Sequence, residues 1–175
     1  MIMSDRICLM NNSRIEQIGS PAELYFSPRS VFAADFIGES NLLDGQVAAV
    51  DGSEVTVIST AGVLLKAKAG DGRAVRSGEA VKLMVRPEML SVLQPGAKAD
   101  NVIEARLLDV ILVGGVTKTY ARIADGKLLA ATGLTHGPLD AVEQGASIRI
   151  GWAKENCVVL PRDGPRDGAR DGPVT

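Results

Sequence analysis

Residues 81–93 and 148–160 carry one pattern twice. Val81-Lys82-Leu83-Met84-Val85-Arg86-Pro87-Glu88-Met89-Leu90-Ser91-Val92-Leu93 aligns with Ile148-Arg149-Ile150-Gly151-Trp152-Ala153-Lys154-Glu155-Asn156-Cys157-Val158-Val159-Leu160 at a constant offset of 67, and the match reaches back to Gly78 and Gly145. Upstream, Asn41-Leu42-Leu43-Asp44 aligns with Asn101-Val102-Ile103-Glu104 at an offset of 60, so the second copy contains a seven-residue insertion (67 − 60). A repeat this long with strand-like ends describes two copies of a small β module and argues against a single catalytic cleft. The expectation is a binding or regulatory domain.

A chain of 175 residues holds one ordinary domain or two small modules that share a core. Its apolar fraction of 46% is enough to bury that core, which excludes global disorder. A net charge of −2 leaves no field to attract phosphate backbones, and 3% aromatics leave no stacking platform for single strands. Nucleic acid is therefore not an expected partner. Cys8 and Cys157 lie in separate strand-like runs without a ligand spacing, and both read as small buried hydrophobes in a reducing compartment. No run of 18 apolar residues and no basic-then-apolar leader is present, so a membrane connection is expected to come through a partner.

Residues 1–38 read differently from the rest of the chain. Ile7–Met10 and Arg14–Ile18 are short strand-like runs around the turn-forming Asn11-Asn12-Ser13. Ser20-Pro21-Ala22-Glu23 has the form of a capping box with proline at the first helical position. A second short helix is predicted from Ser30 to Ile37, ending at Gly38, with Phe32 and Phe36 on its apolar face. Tyr25, Phe26, Phe32 and Phe36 are four of the six aromatic residues, more than two short helices bury among themselves. They are expected to fold back on the β modules or to form an apolar patch. Deleting residues 1–38 is then expected to leave a folded, more soluble β domain.

From Leu42 onward the pattern is β. Strands are predicted over Leu42–Val50, Glu54–Ser59, Val63–Ala67, Ala80–Arg86 and Leu90–Leu93. The second copy has Val102–Val113, Thr117–Ile123, Lys127–Thr132, Ser147–Trp152 and Cys157–Leu160. Five short strands per copy suit a small barrel of the OB type. The alignment places Val85 and Trp152 at equivalent buried positions, with Arg86 and Ala153 following toward the exposed side. The tail 162–175 repeats Arg-Asp-Gly and is expected to be disordered.

Catalytic parts are missing. There is no G-x-x-x-x-G-K-[ST] loop, no G-x-G-x-x-G after a strand and no G-x-S-x-G elbow. His136, the single histidine, lies in a loop without convergent partners and reads as a surface residue. Glu88 and Glu155 occupy equivalent places in the copies, which argues for structure over an acid–base pair. Arg86-Pro87-Glu88 sets opposite charges about a fixed φ at a strand end, a pattern for ion pairing or a subunit contact. Gly114-Gly115 with Thr117 and Lys118 either bares backbone N–H groups to a small anion or is a tight hairpin.

Residues 3–43 (Met-Ser-Asp-Arg-Ile-Cys-Leu-Met, then Arg-Ile-Glu-Gln-Ile-Gly-Ser-Pro-Ala-Glu-Leu-Tyr, then Phe-Ala-Ala-Asp-Phe-Ile-Gly-Glu-Ser-Asn-Leu-Leu) resemble the end of an ABC-transporter ATPase domain running into its C-terminal extension. Val85-Arg86-Pro87-Glu88 is similar to the signature of the TOBE domain that forms this extension, and Gly151-Trp152-Ala153-Lys154-Glu155 resembles its second-half counterpart. The Gly-Glu-Ser-Asn-Leu-Leu junction resembles the spermidine/putrescine importers most. The fold implied is mainly β: tandem OB-like modules over 39–161, with repeats at about 41–93 and 101–160, after an α/β remnant of an ATPase domain over 1–38. The function implied is a regulatory and dimerisation module of an importer's ATP-binding subunit. Its partners would be a second copy, the rest of the ATPase and, indirectly, the membrane subunits, which places it in the cytoplasm at the inner membrane. The rival is a free-standing oxyanion-binding TOBE protein. The resemblance assigns ATP, Mg and the switch histidine to residues upstream of Met1, so this chain is expected to need no cofactor and to bind no ATP. Glu39, Ser40, Asn41, Arg86, Pro87 and Glu88 are the candidate interface or regulatory residues. Gly114, Gly115, Thr117 and Lys118 are a weaker anion-site candidate.

Overall fold

The computed structural model describes residues 5–69, 74–135 and 143–162. His136, the Arg-Asp-Gly tail after Arg162 and part of the Gly70–Gly78 loop lie outside the described residues. Two short strands, β1 (Ile7–Asn11) and β2 (Arg14–Gly19), pair as a hairpin whose loop residues Asn12 and Ser13 both have positive φ, the conformation a two-residue turn between twisted strands requires. Helix α1 (Pro21–Phe26) starts on the capping box: Ser20 Oγ accepts the Glu23 N–H at 3.2 Å, and Glu23 Oε2 accepts the Ser20 N–H at 2.7 Å. Helix α2 (Val31–Ile37) is capped by Ser30. Its buried face is Val31, Ala33 and Ala34, because small side chains allow close approach on two sides. Ala34 and Val31 pack on the barrel residues Met84, Val158 and Leu160, and Ala33 packs on Leu9 and Leu24.

Phe32 and Phe36 stack on each other at 5.6 Å. Phe32 is half-buried against Leu9, Leu24 and Ala33, whereas Phe36 is 66% exposed, so the expected placement on the apolar face of α2 is corrected for Phe36. Helix α2 itself folds back on apolar barrel residues. Cys8 is exposed and Cys157 buried. In β1 the strand period turns Leu9 inward, which leaves Cys8 on the outer side. Burial pushes the Cys157 thiol up to about 12.

The β region follows the expected order: β3 (Asn41–Asp51), β4 (Glu54–Ser59), β5 (Leu64–Ala69), β6 (Ala80–Val85), β7 (Ser91–Val92), then β8 (Asn101–Val113), β9 (Val116–Ile123), β10 (Leu128–Leu134), β11 (Ser147–Trp152) and β12 (Cys157–Pro161). The pairing does not follow one-copy-one-barrel. β3, β4, β5 and β6 close into a barrel only through β12, the last strand of the second copy, which lies antiparallel to β6 and parallel to β5. Reciprocally, the sheet β10-β9-β8-β11 ends on β7, the last strand of the first copy. The two sheets thus share one strand order with their final strands exchanged. The second stays open because β7 has two residues where β12 has five and runs into Gln94-Pro95-Gly96, where proline offers no ladder donor. The predicted Leu90–Leu93 strand is shortened by a 3-10 turn over Pro87–Met89.

Exchange produces one core: Leu43, Val57 and Leu83 of the first sheet and Ile103, Leu129, Ile150 and Trp152 of the second belong to the same buried cluster. Val85 and Trp152 are both buried, as the repeat requires. Two asparagines fasten the halves symmetrically. Asn41 Nδ2 donates to the Ala130 carbonyl and its Oδ1 accepts the Ala130 N–H, both at 2.8 Å. Asn101, sixty residues on, does the same to the backbone of Lys66 at 2.9 and 2.7 Å. Each satisfies one backbone N–H and one carbonyl of the other copy, and each is buried. Ion pairs flank these docks: Asp44 holds Lys82 at 2.8 Å and Lys127 at 2.7 Å, and Glu54 holds Lys66 and Lys154.

The joint between helices and barrel as candidate functional site

Six of the sequence-derived candidates meet where the helical segment joins the barrel. Arg86 is the residue immediately after β6, and its side chain is 2% exposed. The expected turn toward solvent is therefore wrong, and of the two expected roles, ion pairing or a subunit contact, the first is not formed among the described residues. Its guanidinium instead binds the carbonyl ends of both helices. Nε and Nη2 donate to the Tyr25 carbonyl at 3.2 and 2.9 Å. Nη1 is shared among the carbonyls of Ala34 (2.9 Å), Gly38 (2.9 Å) and Glu39 (3.1 Å) and the Ser40 hydroxyl oxygen (2.6 Å). Carbonyls at a helix C-terminus lack intrahelical donors and carry the negative end of the helix dipole. A cation with five fixed donors suits two such ends at once.

The neighbours hold this cation in place. The Tyr25 ring lies 4.2 Å from the guanidinium carbon, within cation–π range, and the Tyr25 hydroxyl donates to Glu88 Oε1 at 2.5 Å. Pro87 opens the 3-10 turn that carries Glu88. Burial, with Glu88 beside it, raises the Tyr25 phenol above its ordinary range; burial lowers the Arg86 guanidinium, which starts far above neutral pH and so stays charged. Gly38 has an extended backbone that any residue adopts. It is glycine for space: a Cβ there would stand 3.2 Å from the Tyr25 ring and 3.5 Å from Arg86 Nη1.

The strap 38–41 also reaches the second copy. Glu39 pairs with Lys118 of β9 at 2.9 Å, Ser40 binds Arg86, and Asn41 docks on β10. Three consecutive side chains therefore connect the helices, the barrel and the open sheet. Behind Arg86 a small cleft of about 50 Å³, open to solvent, is lined by Phe26, Met84, Met89, Glu155, Asn156 and Val158.

The anion-site candidates lie elsewhere in the second sheet. Gly114-Gly115 is the two-residue loop of the β8–β9 hairpin, with Val113 opposite Val116 and Gly114 at φ +61°. The Thr117 hydroxyl pairs with that of Thr135 at 2.8 Å, and Lys118 is occupied by Glu39. Among the described residues no three His, Cys, Asp or Glu side chains are placed to hold a metal, and no helix is long and apolar enough to cross a membrane. Sequence reasoning missed Tyr25, whose role lies in its carbonyl and ring as much as its hydroxyl, and Asn101. The recurrence of asparagine at the first strand of both copies was the available signal for the latter.

Residues 83–160, from β6 to β12, match the TOBE domain family. Over those residues the chain is similar to a TOBE domain. Beyond that domain, 160 residues, 91% of the chain, are 38% identical to the spermidine/putrescine import ATP-binding protein PotA of Rubrobacter xylanophilus, and 166 residues are 34% identical to the protein of the same name from Trichodesmium erythraeum. The chain spans 42% and 43% of the length of these relatives, and the part matched is their C-terminal, TOBE-bearing part, a non-catalytic module. Among solved structures, the cytoplasmic molybdate-binding protein ModG, crystallised with molybdate bound, superposes with a TM-score of 0.63, covering 70% of this chain and 96% of that one at 16% identity. At that identity the likeness is one of fold, and it agrees with OB-like modules.

Proposed function

We propose that this chain is the C-terminal regulatory and dimerisation module of the ATP-binding subunit of an ABC importer, of the spermidine/putrescine type. The observation that carries the reading is the extent of the match: 91% of the chain, helices and both sheets together, aligns with one contiguous part of an import ATP-binding protein. The Arg86 joint supports it mechanically. A module that tracks the motion of an attached ATPase needs a stiff connection, and Arg86 binds the ends of both helices to the barrel while Glu39 and Asn41 carry the link into the second sheet. In this reading the chain works in the cytoplasm, held at the membrane through transporter subunits, and pairs with a second copy.

The test is a chimera in which this chain replaces the matching C-terminal part of the Rubrobacter relative. The expected result is a dimeric, spermidine-stimulated ATPase, with coupling lost when Arg86 is replaced. A folded chimera that hydrolyses ATP but neither dimerises nor responds to Arg86→Met overturns the proposal. Saturable binding of molybdate or sulfate to the chain alone would instead support an oxyanion-binding TOBE protein.

A further inference from the structure

The outer face of the second sheet breaks a rule that the first obeys. Arg106 of β8 and Arg122 of β9 stand directly opposite each other in the register, and both are exposed. Their chain neighbours Ala105, Leu107, Ala121 and Ile123 are buried, so both guanidinium stems leave the sheet on the outer side, with Cβ atoms about 5 Å apart. Like charges so placed destabilise a sheet. The first copy has Gln46 opposite Ile58 at the equivalent place, next to the same β-bulge. It also closes the neighbouring pair Asp44–Lys82 at 2.8 Å, whereas the second copy's equivalents, Glu104 and Arg149, face each other in register without an ion pair. The repeat thus shows which residues this fold adopts when stability alone is served.

Arg106 and Arg122 have no hydrogen bond or ion pair among the described residues. Two carboxylates share the face: Glu104 lies two residues before Arg106, and Asp109, opposite Tyr120, is turned to its own chain, its Oδ1 accepting the Val110 N–H at 2.8 Å. Half-buried Tyr120 lies two residues before Arg122 on the same side of β9, and Leu128, opposite Arg122 on β10, is 54% exposed. Two arginines, a tyrosine and a leucine on one open face have the composition of a protein interface core. The face has no walls to desolvate a free ion, so a small anion alone gains little there.

We propose that this face docks an acidic segment of a protein partner, a carboxylate seating between the guanidinium groups of Arg106 and Arg122. Paired forks match carboxylate geometry, and binding relieves the repulsion that the free chain carries. This surface is independent of the Arg86 joint.

The test uses the full 175-residue chain and tracks the arginine Nε–H resonances by NMR with three probes: a Leu-flanked hexaglutamate peptide, inorganic phosphate, and phosphatidylglycerol vesicles. The double variant R106Q/R122I installs the first copy's residues, so it should fold, with a thermal midpoint at or above the parent's. The charge-matched control is R14Q/K68Q. The expected result is saturable, salt-sensitive peptide binding, weakened roughly tenfold or more in R106Q/R122I and unchanged in the control. Equal weakening in the control, no peptide binding, a lower midpoint in R106Q/R122I, or pair-dependent binding confined to phosphate or vesicles each overturns the proposal.

Discussion

Arg86→Met should separate the helical segment from the barrel without melting the barrel. Methionine fills much of the volume of the arginine stem but leaves the carbonyls of Tyr25, Ala34, Gly38 and Glu39 without their shared donor. An unmet buried carbonyl costs about 1–3 kcal/mol. Water entering from the adjacent cleft recovers part of this, and removing the guanidinium relieves its own desolvation, which brings the net loss to about 2–4 kcal/mol. What else holds α2 is a small cluster of Val31, Ala34, Met84, Val158 and Leu160, worth a similar few kcal/mol by burial. The main core contains no residue of the helices. The loss should therefore appear as local opening. Amide hydrogen exchange measured by mass spectrometry should show residues 20–40 losing protection while Leu43–Ala69 and Ile103–Ala131 keep theirs, and Arg86→Lys should fall between. Equal loss of protection across all three regions, or none, would refute the idea that one buried cation fastens two helix ends to an independently stable barrel.

Asn41→Ala and Asn101→Ala should each cost about 2–3 kcal/mol in denaturant titrations, since each strands one backbone N–H and one carbonyl on the opposite copy; the losses should be similar and the transition single. Residues 39–93 expressed alone should remain unfolded, because the barrel lacks β12, and adding residues 94–162 should restore β circular dichroism. Lys127 and Lys82 hold the Asp44 carboxyl at about 2, against about 4 in the unfolded chain. This pairing stabilises the fold above pH about 4 and its contribution disappears as pH falls toward about 2. Asp44→Asn should thus be weaker than the parent by about 1–2 kcal/mol at pH 6, allowing for screening, with the gap closed near pH 2.

Local structure among the described residues was legible to a high degree. The capping box at Ser20, the turn at Asn12-Ser13 and strands such as Glu54–Ser59 and Ser147–Trp152 depend on contacts within a few residues, and local chemistry reports these. The joint was legible as a location, because Glu39 to Asn41 and Arg86 to Glu88 stand out as polar runs at the edges of apolar strands. Their geometry was not. A charged residue after a strand reads as exposed, since arginine is rarely buried, and nothing in the sequence says that two helix ends converge on it. Gly38 likewise reads as a helix stop, whereas its absent Cβ makes room for Tyr25 and Arg86.

The internal repeat determined that two equivalent β units exist and that Val85 and Trp152 are equivalent and buried. It left undecided which unit each final strand joins. Ser91–Val92 and Cys157–Pro161 carry the same local pattern, and either copy offers either of them an equivalent edge, so sequence periodicity is blind to the choice. Tertiary packing decides it. Exchanging the strands merges two small cores into one, beside which Asn41 and Asn101 satisfy backbone groups of the opposite sheets, and a larger shared core buries a greater fraction of its apolar surface than two separate ones.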